Sequence, residues 1–229
     1  MNIEIDKVYN MDCLDGMRLM KEQGIKADWC ITDPPYGIGV GKKTCIYNGK
    51  KYGKSKAHKK EYDKKDWDSQ RIEKPYFDIM RDVSKEQIIF GGNYYTDYLP
   101  PSSCWIVWDK ENGATDFADC ELAWSSYKGA VRIFRYMWNG MLQGNMKNKE
   151  KRVHPTQKPL PLIEWILNKY TKEGDLILDP FMGSCTTAVA CYKMNRHYIG
   201  FELDKEYYEI GMKRLEEIKN QISIFDLGV

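Results

Sequence analysis

The sequence predicts an α/β protein: a doubly wound, mostly parallel sheet with an antiparallel hairpin at one edge. Three observations carry this. Two short apolar runs, Ala27–Thr32 and Leu176–Leu178, each lead into an aspartate at a turn, Asp33 and Asp179. Stretches with helical spacing alternate with such runs along the chain, as βαβ units require. The second run passes through Asp179-Pro180-Phe181-Met182-Gly183-Ser184 into a helix. That order of strand, acid, glycine turn and helix is that of an open α/β nucleotide site.

The first element is a short strand over 3–9, with Ile3, Ile5 and Tyr9 on one face. Asn10-Met11-Asp12 turns into a helix whose apolar positions are Cys13, Leu14, Met17 and Met20. Asp12 sits at its N-cap, a role worth roughly 1 kcal/mol. The Ala27–Thr32 strand ends at Asp33-Pro34-Pro35-Tyr36. Two prolines stop a ladder, because proline fixes φ and lacks an N–H. They leave a rigid turn carrying one acid and one aromatic ring. Asp and Pro are also ordinary turn residues, so the four alone decide nothing. The alternating glycines of 37–41 suggest a hinge; no GK[ST] follows, so no P-loop is read.

Residues 70–83 read as a helix with Ile72, Tyr76, Ile79 and Met80 inside. Gln87–Phe90 is a strand running into Gly91-Gly92-Asn93, followed by a short helix through Tyr98. Cys104–Trp108 is the next strand. Glu121–Trp124 and Val131–Phe134 alternate and are expected to pair antiparallel at the sheet edge. The tryptophans read as core. Pro161–Tyr170 is a helix with proline at its start. A helix follows Gly183, Tyr198–Phe201 is a strand ending in Glu202, and the last helix covers about 204–220.

Composition narrows the function. The chain has 229 residues, enough for one domain over 1–229 with a real core. No apolar run approaches a membrane span, and no basic-then-apolar leader opens the sequence. The seven cysteines are odd in number and scattered, without a CxxC pair, and the three histidines lie far apart. This argues against a disulfide framework and a metal site, and for a reducing cytoplasm. Net charge is +2, yet residues 41–65 alone carry +8 from ten lysines, Glu61 and Asp63, leaving −6 elsewhere. A basic segment on an acidic body suggests a phosphate-bearing partner. We expect 41–66 to be a basic lid contacting DNA, with Tyr47, Tyr52 and Tyr62 interleaved; a solvated loop is the plainer reading.

Asp33-Pro34-Pro35-Tyr36, Asp179-Pro180-Phe181-Met182-Gly183-Ser184 and His154-Pro155-Thr156-Gln157-Lys158-Pro159 together resemble the amino-methylating DNA methyltransferases that use S-adenosylmethionine. The order is similar to that of the permuted group, whose catalytic motif precedes its cofactor motif. The resemblance implies a Rossmann-like methyltransferase sheet with a circularly permuted motif order. It implies Asp33, Pro34, Pro35 and Tyr36 as the catalytic turn. On the cofactor side it implies Asp12, Asp33, Gln157, Lys158, Asp179, Pro180, Phe181, Gly183, Ser184, Thr186, Thr187 and Glu202. Asp12 is equally a cap, and Thr186 and Thr187 equally pack the helix start. The family usually has Gly where Cys185 stands, which puts the local cofactor fit in question.

The chemistry suits these residue types. A base amine is a poor nucleophile, because its lone pair is delocalised into the ring. The Asp33 carboxylate and the Pro34 carbonyl could hold both its hydrogens, and Asp33 would stabilise the positive charge that develops. The base must leave the duplex, and Tyr36 would stack on it. Glu202, about 20 residues past the glycine turn, is placed for the ribose hydroxyls. No cysteine lies in the Pro-Cys setting of ring-carbon methylation. Asp at the first motif position accompanies adenine in the resembled group, so adenine N6 is expected. Cytosine N4, an RNA substrate and a non-catalytic nucleic-acid-binding protein are the alternatives. Residues 137–153 fall where that group inserts a target-recognition region and are short for it. The expected partners are double-stranded DNA, a second copy of the chain and a cognate restriction endonuclease, in a bacterial or phage-encoded protein.

Overall fold

The computed structural model describes residues 1–39, 68, 70–112, 118–139, 142–154 and 156–226. The elements in chain order are β1 (Lys7–Asn10), α1 (Cys13–Glu22), β2 (Ala27–Thr32), α2 (Lys74–Val83), β3 (Ser84–Phe90), β4 (Trp105–Asp109), β5 (Cys120–Ser125) and β6 (Arg132–Arg135). A two-stranded ribbon, β7 (Trp138–Asn139) with β8 (Leu142–Gln143), precedes α3 (Leu160–Tyr170), β9 (Leu176–Asp179), α4 (Thr186–Lys193), β10 (His197–Glu202) and α5 (Lys205–Asp226).

Eight strands form one sheet in the order β1-β10-β9-β2-β3-β5-β4-β6. The run from β1 to β3 is parallel throughout. Helices α1 and α2 bury Met17, Met20, Phe77 and Met80 against one face. Helices α3, α4 and α5 bury Leu162, Ile166, Val189 and Leu215 against the other. The sheet is thus doubly wound, as expected. Its central strand β9 is buried at every position, and β2 at all but one, as sandwiched parallel strands must be.

The two acid-ended strands are neighbours. Strands β2 and β9 pair in register at Cys30 and Leu178, so Asp33 and Asp179 emerge side by side at the same edge of the sheet. Beyond β9, β10 brings Glu202 to that edge too. The edge is where strand carboxyl ends present ligands in open α/β sheets.

The expected pairing of 121–124 with 131–134 is corrected. Strand β5 lies between β3 and β4 and is antiparallel to both; β6 runs parallel to β4 at the margin. The hairpin is therefore β4–β5, one strand in from the edge. Alternation marks a half-buried strand and does not name its partner. Burial separates the two: Ala123, Trp124 and Ser125 are buried, whereas Val131 and Ile133 are 53% and 52% exposed.

Other boundaries shift. The first strand begins at Lys7, after a turn at Asp6 with φ of 62°, so Ile5 is exposed while Ile3 is buried. Helix α2 starts at Lys74, and its inner stripe is Phe77, Met80 and Val83 rather than Tyr76 and Ile79. Pro75 in the first turn sets this start. The segment after Gly91 is a short 3-10 turn, Gly92–Tyr94, and not a helix through Tyr98. Helix α5 continues to Asp226. The basic stretch 41–66 lies outside the described residues, as does Gly41 of the expected hinge; Gly37 and Gly39 have φ of 74° and 67°. Among the described residues, no helix is long and apolar enough to cross a membrane, and no acid, histidine and cysteine group could hold a metal ion.

Candidate active site

A cavity of about 930 Å³ opens at the carboxyl ends of β2, β9 and β10. It lies within the usual size range of ligand pockets. Every residue nominated on the cofactor side, from Asp12 through Gln157 and Lys158 to the 179–187 stretch and Glu202, lines it. Of the turn expected to be catalytic, Asp33 and Pro35 line it, while Pro34 and Tyr36 do not. His154, Tyr76 and Tyr207, none of them nominated for the site, add further walls.

Asp12 caps α1, accepting from the Leu14 and Asp15 amides at 2.7 and 3.4 Å. The residue lines the cavity as well, so the cap and the ligand wall are one. Asp179 is deeply buried and fully engaged. It accepts from the Thr32 hydroxyl at 2.7 Å, the Thr187 hydroxyl at 2.6 Å and the Phe181 amide at 3.1 Å. Burial pushes its carboxyl up to about 6, against the pull of these donors. The turn after β9 is held to β10: Glu202 accepts from the Gly183 amide at 2.7 Å and the Asp204 amide at 2.8 Å. Burial also raises Glu202.

Around Asp33 the charges form a chain. The Tyr36 hydroxyl donates to one carboxylate oxygen and the Lys158 ammonium to the other. Lys158 also lies 3.2 Å from Glu121, which pairs with Lys110 at 2.5 Å. The ammonium sits 5.2 Å above the Phe90 ring. Burial raises the Asp33 carboxyl despite Lys158, with Glu121 adding to the rise. For Lys158, burial works downward, but Asp33 and Glu121 outweigh it and the ammonium is held above its ordinary range. For Glu121, burial works upward, but Lys158 and Lys110 outweigh it and its carboxyl is held low. The sequence placed Lys158 by motif alone and passed over Glu121 and Lys110. The pairing of β5 with β3 carries Glu121 toward Asp33, and that of β5 with β4 sets Lys110 against Glu121.

Tyr36 is already stacked. Its ring lies 4.9 Å from Tyr94 at 16°. The neighbouring Tyr95 hydroxyl donates to the Pro35 carbonyl and ties the turn down. Gly91, at φ 65°, passes directly against the Tyr36 ring, where a Cβ would collide with it. The glycine that reads as a plain turn residue is what lets the Asp33–Tyr36 turn pack.

The third motif is held by a network that sequence spacing does not reveal. Arg214 of α5 donates to the Ser184 carbonyl at 2.9 Å and the Thr186 hydroxyl at 2.8 Å, and pairs with Glu150. Glu150 also accepts from the Gln157 amide group at 2.7 Å and the Leu160 N–H at 2.9 Å. Gln143 of β8 and Glu150 exchange two further bonds, each 2.8 Å. The 143–160 segment is thereby fastened to the loop that opens α4.

Cys185, at the position where the resembled family has Gly, has a left-handed φ of 57°. It is buried outside the cavity wall, with its sulfur turned to Gly211 of α5. The departure thus meets α5, and the cavity is left unobstructed at that point.

Comparisons with known proteins agree with this geometry. Residues 108–213 match the DNA methylase family of N6 and N4 methyltransferases. The type II methyltransferase M2.DpnII of Streptococcus pneumoniae is 35% identical over 147 residues, covering 63% of this chain and 54% of the relative. The chain thus spans about half the length of the first relatives it matches. In structure, it is similar to the M1.HpyAVI–SAM complex, with a TM-score of 0.56 and 24% identity over 91% of this chain and 98% of the other. PvuII DNA methyltransferase, a cytosine-N4-specific enzyme, gives the same TM-score at 14% identity over 96% and 93%. These two likenesses show the fold.

Proposed function

We propose that this chain is an S-adenosylmethionine-dependent DNA methyltransferase that methylates the N6 amine of adenine in double-stranded DNA. One observation carries the reading: Asp33 and Asp179 stand on adjacent strand ends and line one cavity. A reacting amine at Asp33 and a cofactor along β9 and β10 would then share a space of about 930 Å³.

The residues present fit the cofactor. Asp12 and Glu202 provide acids suited to an adenosine with its ribose hydroxyls. The loop opening α4, with Ser184, Thr186 and Thr187, provides donors, and a methionine carboxylate would meet the positive end of a helix there. S-adenosylmethionine, when bound, supplies an electrophilic methyl group on a sulfonium. The chain supplies position and charge. Asp33 and the Pro34 carbonyl accept the two hydrogens of the amine and localise its lone pair. Asp33 would stabilise the cation as nitrogen gains the methyl group and the methyl's bond to sulfur breaks, and the surplus proton would pass to Asp33 or to water. Tyr36, stacked on Tyr94, offers its ring to the flipped base.

Adenine is favoured because Asp stands first in the motif. The fold is neutral on this point, since it is shared with a cytosine-N4-specific enzyme. The reading treats the chain as one methyltransferase domain with a permuted motif order, a basic lid at 41–66 and a short recognition segment at 137–153. A homodimer is part of the proposal, by resemblance, and the short segment makes a second subunit attractive for covering DNA. A cognate restriction endonuclease and a bacterial cytoplasm are proposed too; the type II methyltransferase names and bacterial sources of the relatives support them.

The test is transfer of a labelled methyl group from S-adenosylmethionine to unmethylated duplex DNA, with the nucleosides identified by mass spectrometry. N6-methyladenine is expected. N4-methylcytosine would overturn the base assignment alone, and label absent from DNA would overturn the function. Asp33→Ala is expected to abolish transfer while cofactor binding persists.

A further inference from the structure

We infer that Glu121 is a positioning residue: a second seat to which the Lys158 ammonium withdraws when the target amine takes its place on Asp33. The inference rests on the methyltransferase reading and deepens it.

Both oxygens of Asp33 are engaged without substrate, one by the Tyr36 hydroxyl and one by Lys158. An amine that is to hydrogen-bond to Asp33 must displace one of them. A tyrosine hydroxyl is neutral, and its loss from the carboxylate costs little charge stabilisation. The ammonium is different. While it stays on Asp33, the carboxylate is already neutralised. It then does less for the positive charge that grows on the nitrogen, because the two cations compete for one anion.

Lys158 cannot simply leave for water. Its side chain is 9% exposed, and it lies over the Phe90 ring at 5.2 Å. A buried ammonium without an anion is costly, so it needs a partner within reach. Glu121 is that partner, 3.2 Å away on strand β5. Glu121 is held in turn by Lys110 at 2.5 Å, which sits 5.1 Å above the Trp108 ring. The four groups Asp33, Lys158, Glu121 and Lys110 sum to zero charge. The set stays neutral when Lys158 moves from one carboxylate to the other. Asp33 is thus masked at rest and uncovered by the entering base, with Lys158 paired at both stages and Asp33 accepting from the amine in the second.

The second seat requires charge at residue 121 more than shape. Glu121→Gln keeps the size of the side chain and removes the anion. Glu121→Asp keeps the anion and shortens the side chain. A role in packing or neutral hydrogen bonding predicts that Gln is the milder change, and the seat predicts the reverse. The experiment measures methyl transfer to duplex DNA under single turnover and at steady state for the wild type, E121Q and E121D. Binding of labelled S-adenosylmethionine reports folding. E121Q is expected to lose ten-fold or more in the transfer rate with cofactor affinity within two-fold of wild type, and E121D to recover at least a third of that loss on a logarithmic scale. E121Q equal to or better than E121D overturns the inference. So does a loss in E121Q that appears only in cofactor binding. A wild-type chain that methylates no DNA overturns the functional reading and this inference together, whereas an active wild type with indifferent variants overturns this inference alone.

Discussion

The Thr32 hydroxyl of β2 donates to the Asp179 carboxylate of β9 at 2.7 Å, a buried bond between residues 147 positions apart. It ties the strand that ends in the Asp33–Tyr36 turn to the strand that ends in the Asp179–Ser184 turn. Thr32→Val keeps the shape and removes the donor, leaving Asp179 with Thr187 and the Phe181 amide. A buried carboxylate that loses one donor costs about 1–3 kcal/mol. We expect T32V to lower the unfolding free energy in urea by that amount with the slope unchanged, and to weaken cofactor binding as the two turns drift apart. A midpoint equal to wild type would show that the bond contributes nothing.

Asp179 itself sets a pH dependence. Its carboxyl, pushed up to about 6 by burial, binds its proton more tightly folded than unfolded, where the ordinary value is 3.8. Between those values the folded state holds more protons, so stability falls as pH rises through the window and levels off above about 6. The fall attributable to this residue is about 2–3 kcal/mol. Asp179→Asn removes the titration. Denaturation of the cofactor-free chain at pH 4, 5, 6 and 7 should therefore show a flatter profile in D179N than in wild type. Parallel profiles would assign the dependence to other groups.

Much of the cavity lining was legible in the sequence because its residues come in contiguous motifs at strand ends. Asp33, Asp179 and Glu202 each terminate an apolar run, and a parallel sheet must gather such ends on one side. Glu121, Lys110, Glu150 and Arg214 were not legible. Each acts through a partner far away in the chain, and nothing in local periodicity distinguishes a buried ion pair from a solvated charge. The same limit explains the strand pairing. Residues 121–124 and 131–134 both alternate, and only burial and the order in the sheet decide which is internal. Gly91 was passed over as a turn, since its second task, making room for Tyr36, depends on a side chain 55 positions earlier.

Arg214 holds the loop that opens α4 to the 143–160 segment through Glu150, with side chains only 13% and 16% exposed. Removing one partner of such a pair leaves an uncompensated ion, a loss of about 3–5 kcal/mol. Arg214→Met should show that loss on unfolding. It should also raise the KM for S-adenosylmethionine ten-fold or more, because the Ser184 carbonyl and Thr186 hydroxyl lose their anchor. The double variant E150Q/R214M should be less destabilised than the sum of the singles, since neither ion is then left alone. Additive losses would show that the two side chains act independently.

Cys185 and Gly211 are a matched pair. Cys185 occupies a left-handed backbone conformation that ordinarily favours glycine, with φ of 57°, and α5 answers its side chain with Gly211. A Cβ on Gly211 would meet the Cys185 sulfur at 2.6 Å and the Gly183 carbonyl at 3.0 Å. Gly211→Ala favours the helix by about 1 kcal/mol, yet overpacking costs about 1–3 kcal/mol. The clash is with buried, confined atoms, so it should win, and G211A is expected to lower the melting temperature. Cys185→Gly relieves a left-handed cost of about 1–2 kcal/mol and removes the sulfur that a methyl group at position 211 would strike. The C185G/G211A double variant should therefore be more stable than G211A by about 1 kcal/mol or more, a coupling that thermal denaturation of the four chains measures directly. Without that recovery, the carbonyl of Gly183, and not the sulfur, would be what forbids a side chain at 211. The loop that opens α4 would then be the element that α5 is shaped to fit.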